Sequence, residues 1–119
     1  MLRALRGATT VDDDIPEQIH DRVVVLLEEM FARNEIDHDD LVSIVFTATD
    51  DVRSAFPATA ARTIGLGDVP MLCARELDIV DSTPRCIRVL VHVDTTRDRA
   101  DLRHVYLEGA SRLRDDLPG

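Results

Sequence analysis

The chain has 119 residues, 45% hydrophobic and 31% charged, so it carries enough apolar material for a packed core, and we expect one domain over residues 1–119. The chain has 14 basic and 23 acidic residues, and the resulting net charge of -9 argues against a surface that binds nucleic acid or anionic membranes. No apolar run approaches the roughly 18 residues of a membrane span, and we expect a cytoplasmic protein.

The residue inventory removes several kinds of chemistry. Every basic residue is Arg, because the chain has no Lys, and this excludes lysine Schiff-base catalysis. Cys73 and Cys86 form no C-x-x-C pair and have no His at ligand spacing, so neither a zinc site nor a disulfide framework is expected. The familiar signatures of covalent, phosphoryl and dinucleotide chemistry are missing from the sequence.

The first half of the chain predicts a strand, a long helix and a second strand. The strand covers Leu2–Arg6, and Asp14 with Pro16 marks the start of a helix that runs to about Asn34. Residues at three- and four-residue steps place an apolar stripe on this helix: Ile15, Ile19, Val23, Leu26, Leu27, Met30 and Phe31. The next strand is predicted at 41–47.

The second half predicts shorter elements. A helix at 58–64 is stopped by Gly65, and strands follow at 69–77 and 86–93. Segment 98–108 is ambiguous between helix and strand, and we interpret it as a short helix followed by a short strand. In the strand from Cys86, the odd positions are all β-branched and the even positions are mixed, so one face builds core and the other serves function or an interface.

These elements predict an α+β fold with a mixed five-stranded sheet and one long and one or two short helices on one face. So few helices cannot cover both faces of such a sheet. We therefore expect the even-numbered face of strand 86–93 to meet another subunit.

Two arginines in strands are the strongest candidates for a site. Arg88 lies in the middle of an apolar strand and needs an acceptor or an anionic ligand once the sheet is covered. A structural ion pair with Glu76 or Asp78 is the simpler interpretation for Arg88 alone. Arg6 repeats the situation at the end of the first strand, and two such arginines favour an anion site.

The sequence resembles a known family through five segments in order. These are Arg6 to Val11, Phe56-Pro57-Ala58 with Arg62, Val69-Pro70 leading to Cys73 and Glu76, Cys86 to Val89, and Arg103 to Glu108. Together they are similar to the monofunctional AroH class of chorismate mutase, and the resemblance covers nearly the whole chain.

The resemblance implies an activity and an assembly. The family converts chorismate to prephenate, the step toward phenylalanine and tyrosine, and works as a homotrimer with a pseudo-barrel core and active sites in clefts between subunits. The reaction is a pericyclic rearrangement within the substrate, so the resemblance implies no cofactor and no metal. It also explains why the sequence carries no familiar catalytic signature.

The resemblance also implies roles for individual residues. Arg88 would stabilise the breaking ether oxygen, Arg6 would hold a carboxylate, and Glu76, with Cys73 nearby, would accept from the ring hydroxyl. Tyr106 would donate to a carboxylate. The remaining substrate contacts implied by the family are Arg62, Phe56, Ala58, Thr59, Met71, Leu72, Leu113 and Arg114, with Thr59 standing where many relatives have Lys.

Two other classes of function remain open at this stage. One is a trimeric small-molecule-binding or regulatory module that keeps the cleft without chemistry. The other is an enamine or imine deaminase on a similar trimeric fold, which would also hold a carboxylate with a buried Arg.

Overall fold

The computed structural model describes the backbone of residues 1–116 and the side chains of residues 1–113, so the predicted role of the Arg114 side chain lies outside the described residues. Five strands and two α-helices form the fold: β1 (Leu2–Thr10), α1 (Pro16–Asn34), β2 (Leu41–Ala48), α2 (Pro57–Thr63), β3 (Met71–Arg75), β4 (Cys86–Asp94) and β5 (Val105–Tyr106). Short 3-10 turns occupy His38–Asp40, Arg99–Asp101 and Glu108–Asp116. The predicted α+β class is confirmed.

The five strands form one mixed sheet in the order β3-β2-β4-β1-β5. The central strand β4 pairs antiparallel with β1 and β2, while the outer pairs β1-β5 and β2-β3 are parallel. The prediction ended β1 at Arg6, which is wrong by four residues. Thr9 and Thr10 continue the ladder opposite Ile87 and Cys86, as suits β-branched residues.

Two further element bounds differ from the prediction. β3 is shorter than the predicted 69–77, because Val69 donates its N–H to Leu66 in a turn and Pro70 has no N–H to give. Helix α2 starts one residue earlier than predicted, since Pro57 fits the first helical position, where no N–H partner is needed.

Helix α1 has the predicted bounds but not the predicted start signal. Five of the seven stripe residues are fully buried: Ile19, Val23, Leu26, Leu27 and Met30. Ile15 is the N-cap and is exposed, which corrects its place in the stripe. The Asp14 carboxylate does not cap α1; it accepts the backbone N–H groups of Arg53 and Ser54 at 3.0 Å and ties the start of α1 to the loop before α2.

The two faces of the sheet differ as the alternation in β4 predicts. The odd positions of β4, from Ile87 to Val93, are buried in the main core with both helices. On the even face, Cys86 is also buried, because Ala8, Tyr106 and Ala110 cover it, but Arg88 is exposed. Within residues 1–116, no α-helix covers this side of the sheet, which we call the open face. Among the described residues, no helix is both long and apolar enough to cross a membrane.

Candidate active site

The open face carries Arg88 at its centre. Arg88 lies opposite Ala8 of β1 on one side and opposite Thr47 of β2 on the other. The small Ala8 leaves room beside the guanidinium, whose side chain is 44% exposed. The sheet therefore presents a fixed, accessible cation from its most central strand.

Arg6 and Tyr106 lie on the same face as Arg88. Arg6 pairs with Leu90 of β4, and Tyr106 of β5 pairs with Ala8. Together with Leu113, these residues line a cavity of about 450 Å³. The fold thus brings together four residues that the sequence predicted as site residues, from three strands and the C-terminal turn.

Glu76 follows β3 directly and reaches toward Arg88. Its Oε2 lies 3.6 Å from Nε of Arg88 and accepts a hydrogen bond from the Thr47 hydroxyl at 2.6 Å. The Glu76 side chain is 23% exposed. The ion pair between Arg88 and Glu76 that the simpler interpretation expects is present. Arg88 nevertheless lines the cavity, so the ion pair and a role in an anion site are compatible.

The Tyr106 hydroxyl is a buried hydrogen-bond donor that is not satisfied within the described part of the chain. No hydrogen-bond partner for it exists among the described residues. Burial raises the pKa of Tyr106, with the charges of Arg6 and Arg88 acting in the opposite direction. The phenol therefore keeps its proton at neutral pH, and its O–H can donate a hydrogen bond to an anion in the cavity.

Arg88 also influences the thiol beneath it. Burial raises the pKa of Cys86, and the nearby Arg88 partly opposes that effect. A buried, protonated thiol is a poor nucleophile. Cys86 therefore packs as a small apolar residue.

Five other predicted site residues do not line the Arg88 cavity. Cys73 pairs with Phe46 on the helix-bearing face of β3, and it lines a second cavity of about 600 Å³ together with Phe56. On α2, Ala58 is buried, whereas Thr59 and Arg62 are exposed. A single chain does not bring these residues to Arg88.

Met71 and Leu72 lie on opposite faces of β3. Met71 packs against the main core, whereas Leu72 is 69% exposed on the open face. Leu72 pairs with Val45, which lines the Arg88 cavity. Of these two predicted walls, Leu72 is the one next to the site.

Two residues near the site were missed by the sequence analysis. Thr47 was not singled out. Its odd position in β2 places it on the open face, and the sequence holds no other signal for it. His104 was given no role, yet its Nδ1 accepts the Arg6 backbone N–H at 2.9 Å. No group of three or more His, Cys, Asp or Glu able to hold a metal ion occurs in the described part of the chain.

Two strand-borne arginines and a phenol line this cavity, and none of its described lining residues is a cysteine or serine, so the cavity is suited to holding and orienting an anion. The chain belongs to the chorismate mutase type I family, whose model matches residues 2–117. This confirms the resemblance drawn from the five sequence segments, and it gives no support to the regulatory-module and deaminase alternatives.

Three relatives illustrate the similarity. The chain is 50% identical to chorismate mutase AroH of Thermus thermophilus over 98% of this chain and 97% of the relative. It is 40% identical to chorismate mutase AroH of Bacillus subtilis, covering 98% of this chain and 93% of the relative. It also matches a solved chorismate mutase from Clostridium thermocellum with a TM-score of 0.91 and 44% identity, over 92% of this chain and 98% of that one.

Proposed function

We propose that this enzyme, an isomerase of the chorismate mutase family, rearranges chorismate to prephenate in the cavity at Arg88. The observation that carries the proposal is that Arg88 is fixed in the central strand and accessible to a ligand, with Arg6 and the unpartnered Tyr106 hydroxyl beside it. The step belongs to the synthesis of phenylalanine and tyrosine.

Arg88 supplies the main electrostatic contribution to the reaction. As the C–O bond of chorismate breaks ahead of C–C bond formation, negative charge grows on the ether oxygen. A guanidinium already held in place stabilises that charge more in the transition state than in the ground state. The chemistry then needs no proton transfer and no covalent intermediate.

The other residues around Arg88 hold the substrate in a reactive shape. Arg6 binds one carboxylate, and Tyr106 donates its hydroxyl to a carboxylate. Glu76 accepts a hydrogen bond from the ring hydroxyl, and Leu113 packs against the enolpyruvyl arm. Holding this arm over the ring lowers the barrier, because the reacting carbons are already close.

We propose further that the active enzyme is a homotrimer with a pseudo-barrel core. Among the described residues no α-helix lies over the open face, where Leu2 and Leu72 are 59% and 69% exposed. Apolar side chains on an uncovered sheet are typical of a surface that meets another subunit. A second copy would cover this face and close the cavity.

A second copy also explains why the predicted site residues lie in two places. Phe56, Thr59 and Arg62 are exposed at and near α2, away from Arg88 of the same chain. We assign these three to the neighbouring subunit's side of the cleft. Ala58, Met71 and Cys73 remain predicted contacts that only a bound ligand can test.

The direct test is to mix the purified protein with chorismate and follow the loss of the conjugated-diene absorbance. We expect strong acceleration over the spontaneous rate, and no acceleration would remove the proposal. Sedimentation tests the assembly: a species of three chains is expected, whereas a single chain of 13.3 kDa would contradict shared clefts.

Complementation between two inactive variants tests the division of the cleft. Arg88→Ala and Phe56→Asp place their defects on different sides of one cleft, so co-refolded mixtures should regain about a quarter of the native sites by random assembly. If the mixture still trimerises but regains no activity, the assignment of Phe56 and Arg88 to different subunits of one cleft would be contradicted.

We also propose a cytoplasmic location. The described cysteines are both free, with Cys73 exposed, as suits a reducing compartment. Fractionation of cells that produce the protein tests this.

A further inference from the structure

We propose that Thr47 is a positioning residue that keeps Glu76 from capturing Arg88. The inference rests on the proposed function and deepens it, because it concerns how the Arg88 guanidinium stays available to the substrate. Thr47 lies in β2 and Arg88 lies directly opposite it in β4, while Glu76 is the first residue after β3.

Both neighbours of Glu76 compete for the same carboxylate oxygen. The Thr47 hydroxyl is 2.6 Å from Oε2, whereas Nε of Arg88 is 3.6 Å from that atom. A carboxylate only accepts, so Thr47 must be the donor. Because charge-assisted N–H···O bonds are about 2.7–2.9 Å long, the Arg88 contact is an ion pair held beyond hydrogen-bond distance.

The Thr47 side chain suits this task because it is stiff. A β-branched residue in a strand has a restricted first side-chain torsion, which fixes the direction in which the hydroxyl points. Thr47 is half-buried and the Glu76 side chain is only 23% exposed, so water competes weakly for Oε2. The other oxygen, Oε1, then remains for the ring hydroxyl of the substrate.

Without the Thr47 hydroxyl, the strongest donor near Oε2 is Arg88. Guanidinium and carboxylate groups pair readily through two parallel hydrogen bonds. Such a pair would direct the Arg88 N–H groups toward Glu76 and away from the ether oxygen. Binding of chorismate through Arg6 and Tyr106 would persist, so the loss should fall on kcat more than on KM.

The kinetic test compares three variants with the wild type. Thr47→Val keeps the shape but removes the donor, and we expect kcat to fall about tenfold with KM changed less than about threefold. Thr47→Ser should restore kcat to within about twofold of wild type, because the hydroxyl returns. Thr96→Val, at an exposed position in the loop after β4, is the matched control and should leave both constants unchanged.

A double-mutant cycle shows whether Thr47 acts through Glu76. In the Glu76→Gln background, adding Thr47→Val should change kcat by less than about twofold, since the group that Thr47 positions is already altered. A full tenfold loss in that background would overturn the inference, and so would a Thr47→Val enzyme with native kcat. If Thr47→Val unfolds in circular dichroism, Thr47→Ala takes its place in the cycle.

A crystal structure of Thr47→Val tests the same inference without activity. We expect Glu76 and Arg88 to form a direct pair with N···O distances of about 2.7–2.9 Å. A carboxylate that stays in place, at the 3.6 Å separation seen with Thr47, would overturn the inference. A wild-type protein that fails to accelerate chorismate loss would instead overturn the proposed function, so the two failures are distinguishable.

Discussion

Nδ1 of His104 accepts the backbone N–H of Arg6 at 2.9 Å, so an imidazole beside β5 holds the strand that carries a site arginine. Burial lowers the pKa of His104, and the Arg6 charge lowers it further. The ring is therefore neutral at neutral pH, with its Nδ1 lone pair free to accept. Protonation would put a hydrogen on Nδ1 and break this bond.

His104 should make stability depend on pH. Because its pKa is lower in the folded chain than in the unfolded one, the unfolded chain binds the extra proton first as pH falls below about 6.5. The contribution of His104 is therefore present above that pH and is lost as the pH falls toward the lowered value. His104→Asn keeps an acceptor that does not titrate, and its urea midpoint should fall less than that of wild type between pH 7.5 and 5.5. Parallel curves for the two proteins would contradict this.

Removing the central cation should nearly abolish turnover. We expect Arg88→Ala to lose at least about 10²–10³ in kcat, or about 3–4 kcal/mol, the scale for one preorganised donor. Arg88→Lys should also be slow, because an ammonium on a different stem does not reproduce the planar fork. Arg33→Ala removes an exposed arginine of α1 paired with Glu29 and is the control for charge alone. A near-native kcat for Arg88→Ala would show that its role is misassigned.

Tyr106→Phe should separate binding from stability. The hydroxyl has no partner among the described residues, so its removal should leave the free energy of unfolding unchanged or raise it by up to about 1 kcal/mol. KM for chorismate should rise about tenfold, the equivalent of one lost hydrogen bond to a charged group. Chemical denaturation and steady-state kinetics on one preparation give both values. A large drop in stability would mean that the hydroxyl has a partner in the free protein.

A side chain at Gly7 should destabilise the fold. A Cβ added there would overlap Sδ of the fully buried Met30 and lie 3.1 Å from Cγ1 of Val89. We expect Gly7→Ala to cost about 1–3 kcal/mol of unfolding free energy, the usual range for an overfilled core. Gly67→Ala is the matched control, because its Cβ would meet nothing within 4 Å. Equal urea midpoints for the two variants would refute the steric argument.

Patterns of local origin were predicted well from the sequence. The bounds of α1 follow from its periodic apolar residues, and the two faces of β4 follow from strict alternation. Both signals depend on neighbours in sequence, so one chain suffices to find them. Arg88 and Arg6 were found in the same way, as charges inside strand patterns.

The remaining features depend on which segments meet. Asp14 looked like a cap for α1, but the free N–H groups of Arg53 and Ser54 compete for it, and nothing near Asp14 in sequence announces them. Thr47 likewise gains its contact from Glu76, just after β3, and His104 gains its contact from β1, through a strand register that the sequence does not state. Only the resemblance to a family suggested which distant residues share a cleft.

The place of β4 in the sheet has a consequence for how the protein is made. Both of its partners, β1 and β2, leave the ribosome before β4 does, and β1 must then wait until residue 94 has emerged. Until β4 has emerged, β1 and β2 each lack their longest pairing partner. Exposed, unpaired strands of this kind make nascent chains prone to aggregation. The fold is therefore completed late in translation, and slow synthesis over residues 49–85 would lengthen the period in which a chaperone is useful.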